Sequence, residues 1–176
     1  MFTKILVSID DSEMTQQVFD EAVSLAKATG GSLMLLNVIS PLDEPYLNPL
    51  FIEPTILYTQ LQNETRQKSL SDWEKFKQAR ENWLRSLCES AIYSGTKTEF
   101  SLNMGEPSKM ICDVARGWDA DLIVIGRRGH RGLSELFLGS VSNYVMHHAP
   151  CSVLTVQGSI LSSTEVSKTQ KVETSN

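Results

Sequence analysis

Cysteine is scarce in this 176-residue chain and never closely spaced. Cys88, Cys112 and Cys151 are its only three, no two form a Cys-x-x-Cys pair, and the odd count leaves no closed disulfide framework. A zinc site is disfavoured for the same reason, and the expectation is cysteines acting as small apolar groups. Long apolar runs are also missing. The stretch between Met1 and Asp10 is too short for a secretory signal, and the run from Leu33 to Leu36 is far too short to span a bilayer. A cytoplasmic protein without membrane attachment is expected. Positive charge is not in excess: 16 Lys and Arg against 21 Asp and Glu leave a net charge of −5. This argues against general nucleic-acid binding, whose affinity rests on neutralising phosphates. Two nucleotide motifs are absent as well. No Gly-Lys pair occurs anywhere, which excludes a Walker loop, and no Gly-x-Gly-x-x-Gly follows the first apolar run, which disfavours a dinucleotide fold.

What is present is an ordinary globular composition, 41% apolar and 21% charged, in a length that suits one domain. Lys4-Ile-Leu-Val-Ser-Ile-Asp10 reads as a buried strand, and Asp11-Ser12 as the cap of a following helix. Val18, Ala22, Leu25 and Ala26 form that helix's apolar stripe, and Gly30-Gly31 end it. Residues 32–39 are a second strand. Four of the six prolines, Pro41, Pro45, Pro49 and Pro54, fall in the next segment. Residues 41–62 are therefore expected to be a long loop insertion. A helix is expected from about Glu64, with Trp73, Phe76, Trp83, Leu84, Leu87 and Ala91 on one face for core packing. A half-exposed edge strand follows at Lys97 to Asn103, with Phe100, Leu102 and Met104 alternating with polar residues. Gly105-Glu106-Pro107 opens the next helix, Asp121 to Gly126 is a fourth strand, Gly139 to Ala149 a helix, and Pro150 to Val156 a fifth strand. Residues 158–176 lack the apolar content to fold and are expected to be a disordered tail. Strand and helix alternate throughout. The expected fold is α/β, a doubly wound five-stranded parallel sheet of order 3-2-1-4-5 in a single domain over 1–157. Ligands of such sheets bind beyond the carboxyl ends of the strands, where the winding reverses between the first and fourth strands. Asp10 and Gly126 lie at those two ends.

Chemistry concentrates in Gly126-Arg-Arg-Gly129-His-Arg-Gly-Leu-Ser-Glu-Leu-Phe-Leu-Gly139-Ser140-Val-Ser142. Gly126 and Gly129 allow backbone N–H groups to approach an oxyanion with no Cβ in the way. Gly139-Ser140 opens a helix, whose free N–H groups and positive dipole end favour an anion. Ser140 and Ser142 add hydroxyls, and Arg127, Arg128 and Arg131 add positive charge. Together these describe a phosphate cradle, with the contacts of Arg127 and Arg128 inferred from charge alone.

The spacing Gly-x2-Gly-x9-Gly-Ser, met by Gly126, Gly129, Gly139 and Ser140, resembles that of the ATP-binding branch of the universal stress protein family. The first strand with its terminal Asp10, Leu35-Leu36-Asn37-Val38, Gly105-Glu106-Pro107 and Ala120 to Gly126 resemble further landmarks of that family over about residues 2–157. The resemblance implies an adenine nucleotide alpha-hydrolase-like sheet binding ATP, ADP or AMP. Asp10 is then expected beside the ribose or a nucleotide-borne Mg²⁺, with Ser8 and Ile9 lining the base and Val38 reading adenine through its backbone. Gly126, Arg127, Gly129, His130 and Arg131 would surround the ribose and phosphates, and Gly139, Ser140, Val141 and Ser142 would hold the phosphates. It also implies a homodimer formed by pairing the fifth strand, Ser152 to Gln157, with its mate. The function implied is that of a stress-response regulatory protein whose nucleotide occupancy modulates partners or assembly. The alternative is a slow ATPase or autokinase, for which His130 is the one base in the loop. An alpha-type ATP pyrophosphatase is disfavoured because Ser8-Ile9-Asp10-Asp11-Ser12 lacks the glycines of that loop, and an empty-site scaffold is disfavoured by the intact glycine motif.

Overall fold

Two apolar segments with no polar face start the sheet. β1 (Lys4–Ser8) and β2 (Ser32–Ile39) pair in parallel, Lys4 opposite Ser32 and Ser8 opposite Leu36. The computed structural model describes residues 1–40, 59–127 and 138–157, with residues 59–66 as backbone alone. Within these, β3 (Lys97–Met104), β4 (Leu122–Gly126) and β5 (Ser152–Val156) complete an all-parallel sheet of order β3-β2-β1-β4-β5. This is the architecture and strand order expected from the sequence.

Both faces of the sheet are covered, as unbroken apolar runs require. Alternate strand residues serve opposite cores. Ile5, Val7, Leu33, Leu35 and Val124 meet α1 (Thr15–Thr29) and α2 (Thr59–Tyr93), through Val18, Ala22, Leu84 and Ala91. Leu6, Leu36, Ile123 and Ile125 meet α3 (Pro107–Gly117) and α4 (Ser140–His148), through Ile111, Ala115 and Val145. Each large side chain withdrawn completely from water in this way contributes about 1.5–3 kcal/mol. Cys88 and Cys112 are buried and Cys151 is half-buried; burial pushes all three thiols above their ordinary range, so they behave as the small apolar groups expected.

Local chemistry sets several boundaries. Gly30 ends α1 in the left-handed region at φ 70°, donating its N–H to Ala26. Gly31 follows where a Cβ would lie 3.0 Å from the Phe2 carbonyl oxygen, so the chain passes closely under β1. Pro107 occupies the first turn of α3, as anticipated. Three expectations are corrected. The first helix does not begin at an Asp11-Ser12 cap. It starts at Thr15 with Met14 at the capping position, while the Ser12 N–H and hydroxyl both turn back to the Asp10 carboxylate in a local turn. The loop expected to reach residue 62 gives way to helix at Thr59, since all of its prolines precede that point; residues 41–58 lie outside the described residues, as does the 158–176 tail. Met104 does not turn inward but is half exposed at the end of edge strand β3.

The 35-residue α2 spans about 52 Å at 1.5 Å per residue, far longer than any strand. Only its carboxyl half therefore covers the sheet. Leu84, Cys88 and Ala91 are buried there, whereas Trp73 and Phe76 are half exposed and stack on each other at 5.9 Å.

Candidate functional site

The carboxyl ends of β1, β2 and β4 converge because these strands are neighbours in parallel register. Ser8 lies opposite Leu36 on one side and Ile125 on the other. Beyond this row stand Asp10 after β1, Val38 near the end of β2, and Gly126 at the end of β4. The winding reverses between β1 and β4 here, which places a crevice at this end.

The β1–α1 turn is tightly tied. Ile9 is buried and donates its N–H to Leu36 O at 2.8 Å. Asp10 is half-buried, and its Oδ1 accepts from the Ser12 hydroxyl at 2.6 Å and the Ser12 N–H at 3.2 Å. The Thr15 hydroxyl bonds the Asp10 carbonyl oxygen and lies 3.2 Å from Oδ1. Oδ2 accepts no hydrogen bond from the described residues.

The other wall is the start of α4. Gly139 sits at the capping position in an extended conformation, φ −60° and ψ 154°, and no side chain caps the helix. Its own N–H is used by the Arg127 carbonyl at 2.9 Å, and its carbonyl accepts from Asn143 N. The N–H groups of Ser140, Val141 and Ser142 fall in the first turn, where the helix offers no carbonyl partner. Their alignment and the dipole make this end attractive to an anion. Ser142 is 2% exposed, and its hydroxyl donates to the carbonyls of Arg127 and Gly139 at 2.9 and 3.0 Å. Its single hydrogen is thus spent closing the base of the 127–139 loop. Arg127 also faces away from the expected role: its guanidinium donates to Gln157 Oε1 at 2.7 Å, beside β5. Gly129, His130 and Arg131, with Arg128, lie outside the described residues.

The predicted residues that are described thus gather at one end of the sheet: Ser8, Ile9, Asp10 and Val38 on one side, Gly126, Arg127, Gly139, Ser140, Val141 and Ser142 on the other. Sequence reasoning missed Asn37 and Thr15. Asn37 is buried in β2 and donates its amide to Ile9 O at 2.7 Å. A polar residue inside an otherwise apolar strand was the available signal. Among the described residues no cluster of three or more His, Cys, Asp or Glu forms a metal site, and no helix is long and apolar enough to cross a membrane. A groove of about 540 Å³ lies behind the turn, between α1 and α2, lined by Asp11, Ser12, Thr15, Phe76, Arg80 and Trp83. Arg80 pairs with Asp11 and lies over the Phe76 and Trp83 rings. None of the predicted site residues lines it.

A five-stranded parallel sheet wound in this order, with helices on both faces, defines a doubly wound α/β fold. The chain belongs to the universal stress protein family, whose model matches residues 1–157. A universal stress protein of Synechocystis sp. is 42% identical over 159 residues, covering 89% of this chain and 98% of its own length. Among solved structures, the universal stress protein UspA from Lactobacillus plantarum shares 25% identity with a TM-score of 0.64, covering 88% of this chain and 97% of that one. Two others share the fold at 20% identity: a universal stress protein in complex with cAMP (TM-score 0.60, covering 89% and 97% of the two chains) and one from Archaeoglobus fulgidus in complex with dAMP (TM-score 0.51, covering 88% and 97%).

Proposed function

We propose that this protein binds an adenine nucleotide, ATP by the Gly-x2-Gly-x9-Gly-Ser spacing, across the carboxyl ends of β1, β2 and β4, and that occupancy regulates its assembly or partners in the cytoplasm. One arrangement carries the reading: the uncapped start of α4, with three first-turn N–H groups, and a braced Asp10 whose Oδ2 makes no bond to the described residues both lie beyond the carboxyl ends of the neighbouring strands β4 and β1. Phosphate suits the first, and a ribose hydroxyl or nucleotide-borne Mg²⁺ suits the second. A single carboxylate fits a cation that arrives on phosphates, since Mg²⁺ keeps most of its shell from water and phosphate oxygens. Val38 supplies backbone for the adenine edge, and Ser8 and Ile9 line the base. Gly126, Gly129, His130 and Arg131 belong to the phosphate side. Ser142 acts there from behind, by holding the loop base closed. The adenine-nucleotide complexes of two relatives with this fold support the choice of ligand.

The proposal includes a homodimer through β5. That strand is an edge, its Leu154 is 39% exposed, and exposed apolar edges are normally covered.

The test is direct. The purified protein is denatured and any released nucleotide identified, then ATP, ADP and AMP are titrated calorimetrically into nucleotide-free protein with and without Mg²⁺. Bound or titratable adenine nucleotide is expected. No release and no affinity for any of the three would sink the reading, and multiple turnovers of ATP would move it to the ATPase alternative.

A further inference from the structure

Asn37 is out of place. It lies on the β2 face that presents Leu33 and Leu35 to the α1–α2 core, and it pairs in register with Leu102. It is 5% exposed, its Nδ2 donates to Ile9 O at 2.7 Å, and its Oδ1 has no partner. A buried acceptor left without a donor loses its hydration with nothing in return. A leucine would fill this position without that cost. The amide must therefore serve something other than packing.

The Ile9 carbonyl belongs to the peptide group that enters Asp10. The Asp10 carbonyl, held by the Thr15 hydroxyl, belongs to the peptide group that leaves it. Two side chains from outside the turn thus pin both peptide planes flanking one residue, while Ser12 pins that residue's Oδ1. Three fixed points determine where Oδ2 stands. Asx turns are common and need only the Ser12 contacts; the Asn37 and Thr15 bonds go beyond what the turn requires.

Resting on the nucleotide reading above, we propose that Asn37 is a positioning residue of the site, which together with Thr15 fixes the peptide groups on either side of Asp10 and so presents its carboxylate to ribose or nucleotide-borne Mg²⁺. Preorganisation of this kind raises affinity by removing an ordering cost at binding.

Asn37→Leu and Thr15→Val separate this role from a structural one. Asn37→Leu orphans the Ile9 carbonyl but removes the orphaned Oδ1 and adds apolar contact, so stability should stay near wild type. The free protein is read by amide hydrogen exchange. The Ser12 N–H should exchange roughly five-fold faster in both variants, the equivalent of the about 1 kcal/mol a typical hydrogen bond contributes, while the β1 and β4 amides keep wild-type protection. Thr15→Ser, which keeps the hydroxyl, should restore it. ATP affinity should fall by a similar roughly five-fold factor in Asn37→Leu and Thr15→Val. Unchanged Ser12 exchange in both variants overturns the proposal, as does a changed exchange with unchanged ATP affinity. Loss of β1 and β4 protection in Asn37→Leu would mark that residue as structural and overturn its assignment, leaving Thr15→Val to decide the other pin. Failure of the wild-type protein to bind any adenine nucleotide, with Ser12 exchange responding as expected, removes the nucleotide reading and leaves the brace on Asp10 standing.

Discussion

Replacing Ser140 with proline removes one backbone N–H from the start of α4 while leaving the helix free to form. Ser140 is the first residue of that helix, so its N–H has no carbonyl partner within it. Proline's fixed φ near −65° suits that position. Proline also demands an extended residue before it, and Gly139 already has φ −60° and ψ 154°. The fold should therefore accept Ser140→Pro with a shift in Tm of no more than about 2 °C. The effect on binding should be much larger. A hydrogen bond to a charged group contributes about 1.5–3 kcal/mol, and 1.4 kcal/mol is about tenfold. Ser140 is exposed, so the low end applies, and ATP should bind roughly tenfold more weakly. Titration calorimetry with ATP and adenosine checks this, with Ser140→Ala separating the lost hydroxyl from the lost N–H. Adenosine, which carries no phosphate, should bind the proline variant as it binds wild type. ATP affinity equal to wild type in a folded Ser140→Pro protein would show that the start of α4 does not hold phosphate. An equal loss for adenosine would show that the substitution damaged the whole site.

Asp121 supplies a pH-dependent test of stability at the opposite end of the sheet. Partial burial alone would raise its pKa, but hydrogen bonds from the Thr3 N–H at 2.7 Å, the Thr3 hydroxyl at 2.8 Å and the Lys4 N–H at 3.2 Å outweigh it and hold the carboxyl below its ordinary range. A folded-state pKa depressed in this way stabilises fully above the unfolded value near 3.9, and that contribution is lost as pH falls through the lower folded value. Asp121→Asn should therefore cost about 1–2 kcal/mol at pH 7 in urea unfolding, with the difference from wild type shrinking below about pH 4; a pH-independent difference would refute the assignment. Gly30→Ala should lower stability by about 1–2 kcal/mol, purely from left-handed strain, because no atom lies within 4 Å of the added Cβ; a neutral outcome in the same unfolding assay would show that the cap relaxes. Leu154→Arg, at the 39% exposed edge position on β5, should convert a dimer to a monomer in sedimentation without loss of monomer stability, and a wild-type monomer at micromolar concentration would remove the dimer from the proposal.

The features legible in the sequence were those set by local pattern. β1, β2 and β4 announce themselves as apolar runs because both faces are buried, and the alternation of strands and helices restricts the winding to a few orders. Gly30 and Pro107 act within their own turns, so their roles could be read without knowing the fold. The errors arose where a side chain had two local options. Asp11-Ser12 has the composition of a helix cap, yet Ser12 turns its N–H and hydroxyl back to the Asp10 carboxylate, and the helix starts three residues later than Ser12, at Thr15. The 41–62 loop ended early because absence of proline, rather than presence of a helix signal, marks the Thr59 boundary.

What sequence could not supply is partner identity across distance. Asp121 reads as the polar start of a strand, and only the β1–β4 pairing brings it to Thr3 and Lys4. Ser142 and Arg127 were both assigned to the phosphate side, Ser142 by its hydroxyl and by the family resemblance, Arg127 chiefly by its charge. Their positions support a different division of labour. The Ser142 hydrogen and the Gly139 N–H both go to the Arg127 carbonyl, and the Arg127 guanidinium goes to Gln157. These three bonds close the two ends of the loop onto each other and onto β5. The same economy governs the opposite wall, where Asn37, Ser12 and Thr15 spend their donors on the Asp10 turn. On each side most of these side-chain donors are spent within the loop bases, and the groups they leave free include the main-chain N–H groups at the start of α4 and one carboxylate oxygen at Asp10. If the proposed nucleotide binds there, main-chain N–H groups and one carboxylate oxygen would meet its phosphates and ribose. That is why Ser140→Pro, which deletes an N–H, should weaken ATP binding more than Ser140→Ala, which deletes a hydroxyl.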